Sequence, residues 1–89
     1  MRTRVVHCRR EWYDVYVGRP SPWGNPFVIG RDGTREEVIA KYAAWVRKQP
    51  HLLARIAELR GKTLGCWRAP LPCHANVLAK LADGLGWSP

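Results

Sequence analysis

Apolar and polar positions along this chain change their period several times, and each change marks the boundary of an element. Thr3 to Cys8 (TRVVHC) is β-prone, and Trp12 to Val17 (WYDVYV) is a second short extended candidate rich in aromatic and β-branched side chains. These read as two strands or one interrupted strand. After Val17 the period disappears. Gly18 to Gly33 (GRPSPWGNPFVIGRDG) holds three Pro and four Gly, which excludes a regular element and reads as a long ordered loop. Loops of that length inside a compact domain are commonly functional.

A helical period then sets in. Thr34 and Glu37 have the T-x-x-E spacing of a capping box, so a helix is predicted to begin near Arg35. Val38, Ile39, Tyr42, Trp45 and Val46 follow at helical spacing, which buries one face, and the helix should stop before Pro50. A second helix is predicted over His51 to Arg60, with Leu52, Leu53, Ile56 and Leu59 on one side and Gly61 as its stop. Lys62 to Trp67 (KTLGCW) reads as a buried strand, being short, preceded by a Gly stop and without a helical stripe. Pro70 and Pro72 hold the next stretch extended. A third helix, from about Cys73 to Asp83, presents Val77, Leu78, Leu81 and, just past it, Leu85, with Gly84 as its cap. Repeats, heptads and low-complexity tracts are absent from the sequence.

The order β, β, long loop, α, α, β, loop, α predicts an α/β fold: a small sheet of two to four strands, at least partly parallel, covered by about three helices. If the first and last strands are joined through the helical pair they should run parallel. Ligands of open α/β sheets sit at the carboxyl ends of strands. Both irregular segments leave the carboxyl ends of predicted strands, so they are expected to open onto one site.

Length and composition narrow this picture. With 89 residues the chain has room for one core, so residues 1–89 are read as a single domain. An apolar fraction of 46% with five Trp and three Tyr is enough to fold, which argues against disorder. Fifteen Lys and Arg against seven Asp and Glu give a formal charge of +8. That charge favours solubility or attracts phosphate-bearing partners, either a small molecule or nucleic acid. The cations are scattered over Arg2 to Arg10, Arg31 to Lys48 and Arg55 to Lys62 rather than packed into one run. Three cysteines, Cys8, Cys66 and Cys73, cannot form a complete disulfide set, and Met1 to Trp12 has no apolar stretch resembling a signal peptide. No segment approaches the roughly 18 to 20 apolar residues of a membrane span. The expected setting is the reducing cytoplasm, with no membrane partner.

The chemistry-bearing residues gather in Gly18 to Phe27 and Cys66 to His74. GRPSPWGNPF (Gly18 to Phe27), followed by DGTREEVI (Asp32 to Ile39) and GCWRAPLPCHANVL (Gly65 to Leu78), resembles an uncharacterised family of short bacterial, actinobacterial-phage and viral proteins. That family is named only as a domain of unknown function, and its hallmarks are a GRPSxWGNPF-like loop and a CWCxPxxCH-like loop. The resemblance spans nearly the whole chain, and it brings no established activity with it. One departure matters: Arg68 stands here where the family pattern has its second cysteine.

Pro72 should set Cys73 and His74 at the opening of the third helix, where free N–H groups and the positive end of the dipole attract anions. The same field favours a thiolate, which makes Cys73 a candidate nucleophile with His74 as the neighbouring acid or base. The alternative is that Cys73 is a small buried residue and His74 a helix-end side chain. A zinc set of Cys66, Cys73 and His74, with Cys8 or His7, is disfavoured. Adjacent Cys73 and His74 do not readily point at one tetrahedral centre, C-x6-C lacks knuckle geometry, and Arg68 puts a cation there. Neither a metal nor a cofactor is expected.

In the first loop Arg19 and Asn25 can recognise phosphate and amide-like edges, Ser21 adds a hydroxyl, and Trp23 offers a stacking face. The alternative is that Trp23 and Phe27 plug the edge of the domain. Trp12, Trp45, Trp67 and Trp87 read as packing residues, with Trp87 also a candidate self-association contact, and Glu36 and Glu37 as first-turn charges. Two functions follow as expectations. The first is a nucleotide or phosphate site built from Arg19, Ser21, Trp23 and Asn25 opposite Arg68, Cys73 and His74; whether it performs chemistry stays open. The second is a non-enzymatic phage-type accessory protein that binds host protein or nucleic acid through its basic surface.

Overall fold

A computed structural model describes residues 2–84 of the chain. Strand β1 (Arg4–His7) is followed by the short strand β2 (Val15–Tyr16), the long loop, helix α1 (Arg35–Val46), the single turn α2 (Pro50–Leu53), a 3-10 turn (Ile56–Leu59), strand β3 (Thr63–Cys66) and helix α3 (His74–Ala82). The fold is α/β, a three-stranded sheet in the order β1-β3-β2 with both outer strands parallel to β3. The register pairs Arg4 with Thr63 through His7 with Cys66 on one side of β3, and Val15 with Leu64 and Tyr16 with Gly65 on the other.

Alternation along these strands divides the two faces. Val5, Val15, Leu64 and Cys66 join the core with the helices, where Val17, Tyr42, Val46, Leu52, Val77 and Leu78 are almost wholly buried. Gly65 turns to the other face, where the Tyr13 ring lies so close that an added Cβ would come within 2.7 Å of it. Thr3 locks the start of β1 in place. Its hydroxyl donates to Asp83 Oδ1 at 2.6 Å beyond α3 and accepts the Gly61 N–H at 2.9 Å. That contact holds the Asp83 carboxyl below its ordinary range.

The predicted start of α1 is observed. Thr34 accepts from the Glu37 N–H at 3.2 Å while the Glu37 carboxylate accepts the Thr34 N–H at 2.9 Å, a closed capping box. Other expectations are corrected. The second strand shrinks to Val15–Tyr16 because Asp14, just before it, bonds to β3 through its carboxylate as well as its backbone, taking the Thr63 N–H at 2.8 Å. Trp12 is consequently 75% exposed and packs no core.

The second helix does not form as one element. Gln49 offers no capping side chain, and a segment this short has little intrinsic helicity. It breaks into α2 and the 3-10 turn, which buries Leu52 and Leu59 and leaves Leu53 outside. Strand β3 ends at Cys66, so Trp67 begins the following loop and is 53% exposed rather than packed in the sheet. Trp45 does pack against the core. Leu85 and Trp87 lie outside the described residues.

Candidate functional site

Because β2 and β3 are parallel neighbours, their carboxyl ends share one edge of the sheet, and the segments that leave them start side by side. Between these segments lies a cavity of about 350 Å³. The early loop contributes Gly18, Arg19, Asn25, Phe27 and Ile29, and the first turns of α1 contribute Arg35, Val38 and Ile39. The late segment contributes Cys66, Trp67, Arg68, Pro72, Cys73 and His74. Of the residues expected to build the site, Arg19, Asn25, Arg68, Cys73 and His74 therefore meet.

Ser21 and Trp23 do not. Trp23 is 4% exposed and belongs to the core, with its carbonyl accepting the Tyr42 hydroxyl at 2.7 Å, so its ring has no free face to stack on a ligand. The plug reading of that residue is the one realised. The Ser21 hydroxyl is buried without a partner among the described residues and does not border the cavity. Asn25 borders it but is engaged internally: its amide donates to the Val38 carbonyl at 3.2 Å, and its oxygen accepts the Phe27 N–H at 2.9 Å. It ties the early loop to α1.

The Tyr16 hydroxyl couples the two segments. It accepts from the Trp67 indole N–H at 2.9 Å and donates to the Arg19 carbonyl at 2.7 Å. Gly18 is required here, since a Cβ would lie 2.5 Å from that hydroxyl. The Trp67 ring is flanked by His7, edge-on at 5.9 Å, and by the Arg9 guanidinium at 5.6 Å.

Three cations face the cavity, Arg19, Arg35 and Arg68. Among the described residues ion pairs join Arg31 to Asp32 and Arg55 to Glu58, and neither involves a cavity arginine. Arg35 reaches across to the Pro72 carbonyl at 3.4 Å, bridging the first turn of α1 to the late loop.

His74 and Cys73 do not form the acid–base pair expected of them. The His74 Nε2–H donates to the Val17 carbonyl at 2.6 Å, and the ring stands edge-on to Tyr42 at 5.0 Å. A carbonyl only accepts, so the hydrogen sits on Nε2 and the neutral ring keeps Nδ1 as its acceptor. Burial holds the His74 pKa below its ordinary value, the Val17 bond opposes this, and the charges of Arg19 and Arg68 add to the lowering. The ring is thus neutral near neutral pH.

The partner of Cys73 is Cys66, whose sulfur lies 3.0 Å away. Both thiols are free. The contact with the Cys73 sulfur brings the Cys66 thiol down to about 6; burial opposes it, and the Arg68 and Ala69 N–H groups and the Arg68 charge reinforce it. Cys73 moves the other way. The contact with Cys66, burial and the charge of Cys66 all raise it, against the N–H groups of Ala75 and Asn76. The two thiols therefore form one coupled pair, in which the shifts favour the charge on Cys66, at the end of β3, over Cys73. Sequence reasoning considered Cys66 only as a metal ligand, and its reactivity depends on a contact between residues seven positions apart. Among the described residues no group of three or more His, Cys, Asp or Glu is arranged to hold a metal ion.

Fold and site together define a small parallel α/β domain with an arginine-edged cavity over a buried thiol pair. By sequence the chain belongs to the family described as domain of unknown function DUF4326, whose model matches residues 2–84. It is 32% identical over 87 residues to an uncharacterised 12.4 kDa protein of the nrdA-td intergenic region of Enterobacteria phage T4, covering 92% of this chain and 79% of that protein. It is also 39% identical over 87 residues to the uncharacterised protein R718 of Acanthamoeba polyphaga mimivirus, covering 76% of this chain and 65% of the relative, which is therefore the longer protein. No solved structure matches. Among the described residues no helix is long and apolar enough to cross a membrane.

Proposed function

We propose that the chain binds a phosphate-containing small molecule, such as a nucleotide, in the cleft between the 18–27 and 66–74 segments. Arg19, Arg35 and Arg68 hold the phosphate, and Phe27, Ile29 and Trp67 receive the apolar part of the ligand. The observation that carries this reading is the convergence of both segments and three arginines on one cavity of about 350 Å³, with no carboxylate among its lining residues. Guanidinium groups recognise phosphate oxygens by bidentate hydrogen bonds, and a site with apolar walls and few polar anchors is the usual form of a small-molecule pocket.

Thermal unfolding in the presence of nucleoside mono-, di- and triphosphates, inorganic phosphate or a short oligonucleotide tests the reading. A ligand at a hundred times its Kd adds about 2.7 kcal/mol of apparent stability, which raises Tm measurably. The expected result is such a rise with a phosphate compound, lost in Arg19→Ala and Arg68→Ala. No rise with any small phosphate compound, or a rise indifferent to both substitutions, rejects it. Oligonucleotide binding with a steep salt slope and no dependence on Arg19 or Arg68 would favour the basic-surface accessory role instead.

A further inference from the structure

Cys66 is the last residue of β3, and Cys73 is the N-cap of α3. Between them the chain folds back through a turn in which the Leu71 N–H donates to the Arg68 carbonyl at 2.9 Å. This return brings the two sulfurs to 3.0 Å. Each is about as buried as a core residue, 1% and 2% exposed, yet both border the cavity. An ordinary buried cysteine packs against carbon; here sulfur meets sulfur, the Arg68 and Ala69 N–H groups converge on Cys66 and those of Ala75 and Asn76 on Cys73, and the Arg68 cation adds its field at Cys66. A cation and backbone donors at a thiol are the surroundings of a reactive cysteine rather than of an inert one.

We propose that Cys66 and Cys73 form a peroxide-reactive dithiol: Cys66 attacks a small hydroperoxide that enters the cavity, and Cys73 resolves the product into an intramolecular disulfide. A small hydroperoxide is the fitting oxidant because thiols this deeply set admit little else. In the first step the Cys66 thiolate sulfur attacks one peroxide oxygen and the O–O bond breaks. The other oxygen leaves with the bonding pair and takes up a proton, so that Cys66 becomes a sulfenic acid. In the second step Cys73 gives up its proton and its sulfur attacks the Cys66 sulfur. The S–O bond breaks, that oxygen leaves as water, and an S–S bond forms. Two thiols are oxidised by two electrons, and the peroxide is reduced to water and water or alcohol. This reaction needs no bound anion, so it stands or falls separately from the phosphate reading.

Cys8 lies at intermediate exposure beyond β1 and off the cavity wall, so Cys8→Ser gives a clean background. The reduced Cys8→Ser protein is treated with hydrogen peroxide, then followed by thiol titration under denaturing conditions and by intact mass. The expected result is joint loss of both remaining thiols and of the mass of two hydrogens, in a monomer, reversed by dithiothreitol. With Cys73→Ser added, dimedone should trap a sulfenic acid at Cys66. With Cys66→Ser added, thiol loss should slow by at least about tenfold, since the unactivated thiol is hardly ionised. Persistence of both thiols, disulfide-linked dimers, or equal rates in the two serine variants would overturn the proposal. If a serine variant fails to fold, the thiol count and mass of the Cys8→Ser protein alone still decide it.

Discussion

Both helices that border the cavity begin with a capping box, and the two boxes are made of different chemistry. At α1 the pair is Thr34 and Glu37, a hydroxyl and a carboxylate. Both are strong acceptors, and Thr34 holds the Glu37 carboxyl below its ordinary range. At α3 the pair is Cys73 and Asn76: the Asn76 oxygen accepts the Cys73 N–H at 2.9 Å, while the Cys73 sulfur faces the Asn76 N–H. Sulfur is a weak acceptor, so the second box closes less firmly than the first. In exchange it puts a titratable group at a helix mouth, in contact with a second one. The same local geometry therefore serves folding at α1 and leaves reactivity at α3.

Tyr42 connects the body of α1 to the mouth of α3, and its removal should give the largest effect. Its ring is fully buried on α1 and packs on His74, its hydroxyl donates to the Trp23 carbonyl, and burial pushes that hydroxyl's pKa upward. Tyr42→Ala should lower stability by about 3 to 5 kcal/mol in urea unfolding, and Tyr42→Phe by only about 1, the worth of one hydrogen bond. A loss below about 1 kcal/mol for the alanine variant would show that α1 and the mouth of α3 do not share a core.

Exchanging the caps themselves separates their roles. In the Cys8→Ser background the pH dependence of alkylation at Cys66 should have its midpoint near 6. Cys73→Ala removes the hydrogen bond that lowers it, and the midpoint should climb by about one unit or more toward the ordinary thiol value. Thr34→Ala should leave that midpoint where it is and instead cost about 1 kcal/mol of stability. An unchanged midpoint in Cys73→Ala would end the view that the α3 box carries the chemistry.

The smallest effect is a pH dependence. The folded-state pKa of His74 is lowered, so the unfolded chain takes up its proton first, and the stabilisation present above the ordinary histidine value is lost as pH falls through it. Between about pH 7.5 and about pH 5.5, stability should decline less in His74→Asn than in the parent chain. Asp32, Glu37 and Asp83 also have lowered pKa values, and their contributions fade only below the ordinary carboxylate range, so the two windows do not overlap. Equal declines in the two proteins would mean that His74 is not held neutral by the fold.

Much of this architecture was legible because it is local. The T-x-x-E box at Thr34, the apolar stripe through Val38, Tyr42 and Val46, the break at Gly18 to Gly33 and the extended run before Cys66 each depend on neighbours within a few residues. The parallel pairing of β1 with β3 followed from the helical connection between them. The long break in period also marked where one wall of the cavity lies.

Contacts between distant residues were beyond that reading. Which side chains of the early loop face inward was decided by packing: Trp23 entered the core and Arg19 remained at the cavity, although both sit in the same irregular stretch. The environment of the Cys66 thiol depends on the Cys73 sulfur, two N–H groups and a guanidinium that converge only when the chain turns back between β3 and α3. The expected helix over His51 to Arg60 divided for a local reason, since a short segment without a capping side chain at Gln49 has little intrinsic helicity. Short-range order along this chain is written in period and capping, which act over a turn or two. Reactivity is set by desolvation and by the fields of groups whose directions the local period does not encode, and only the folded arrangement brings those groups within reach.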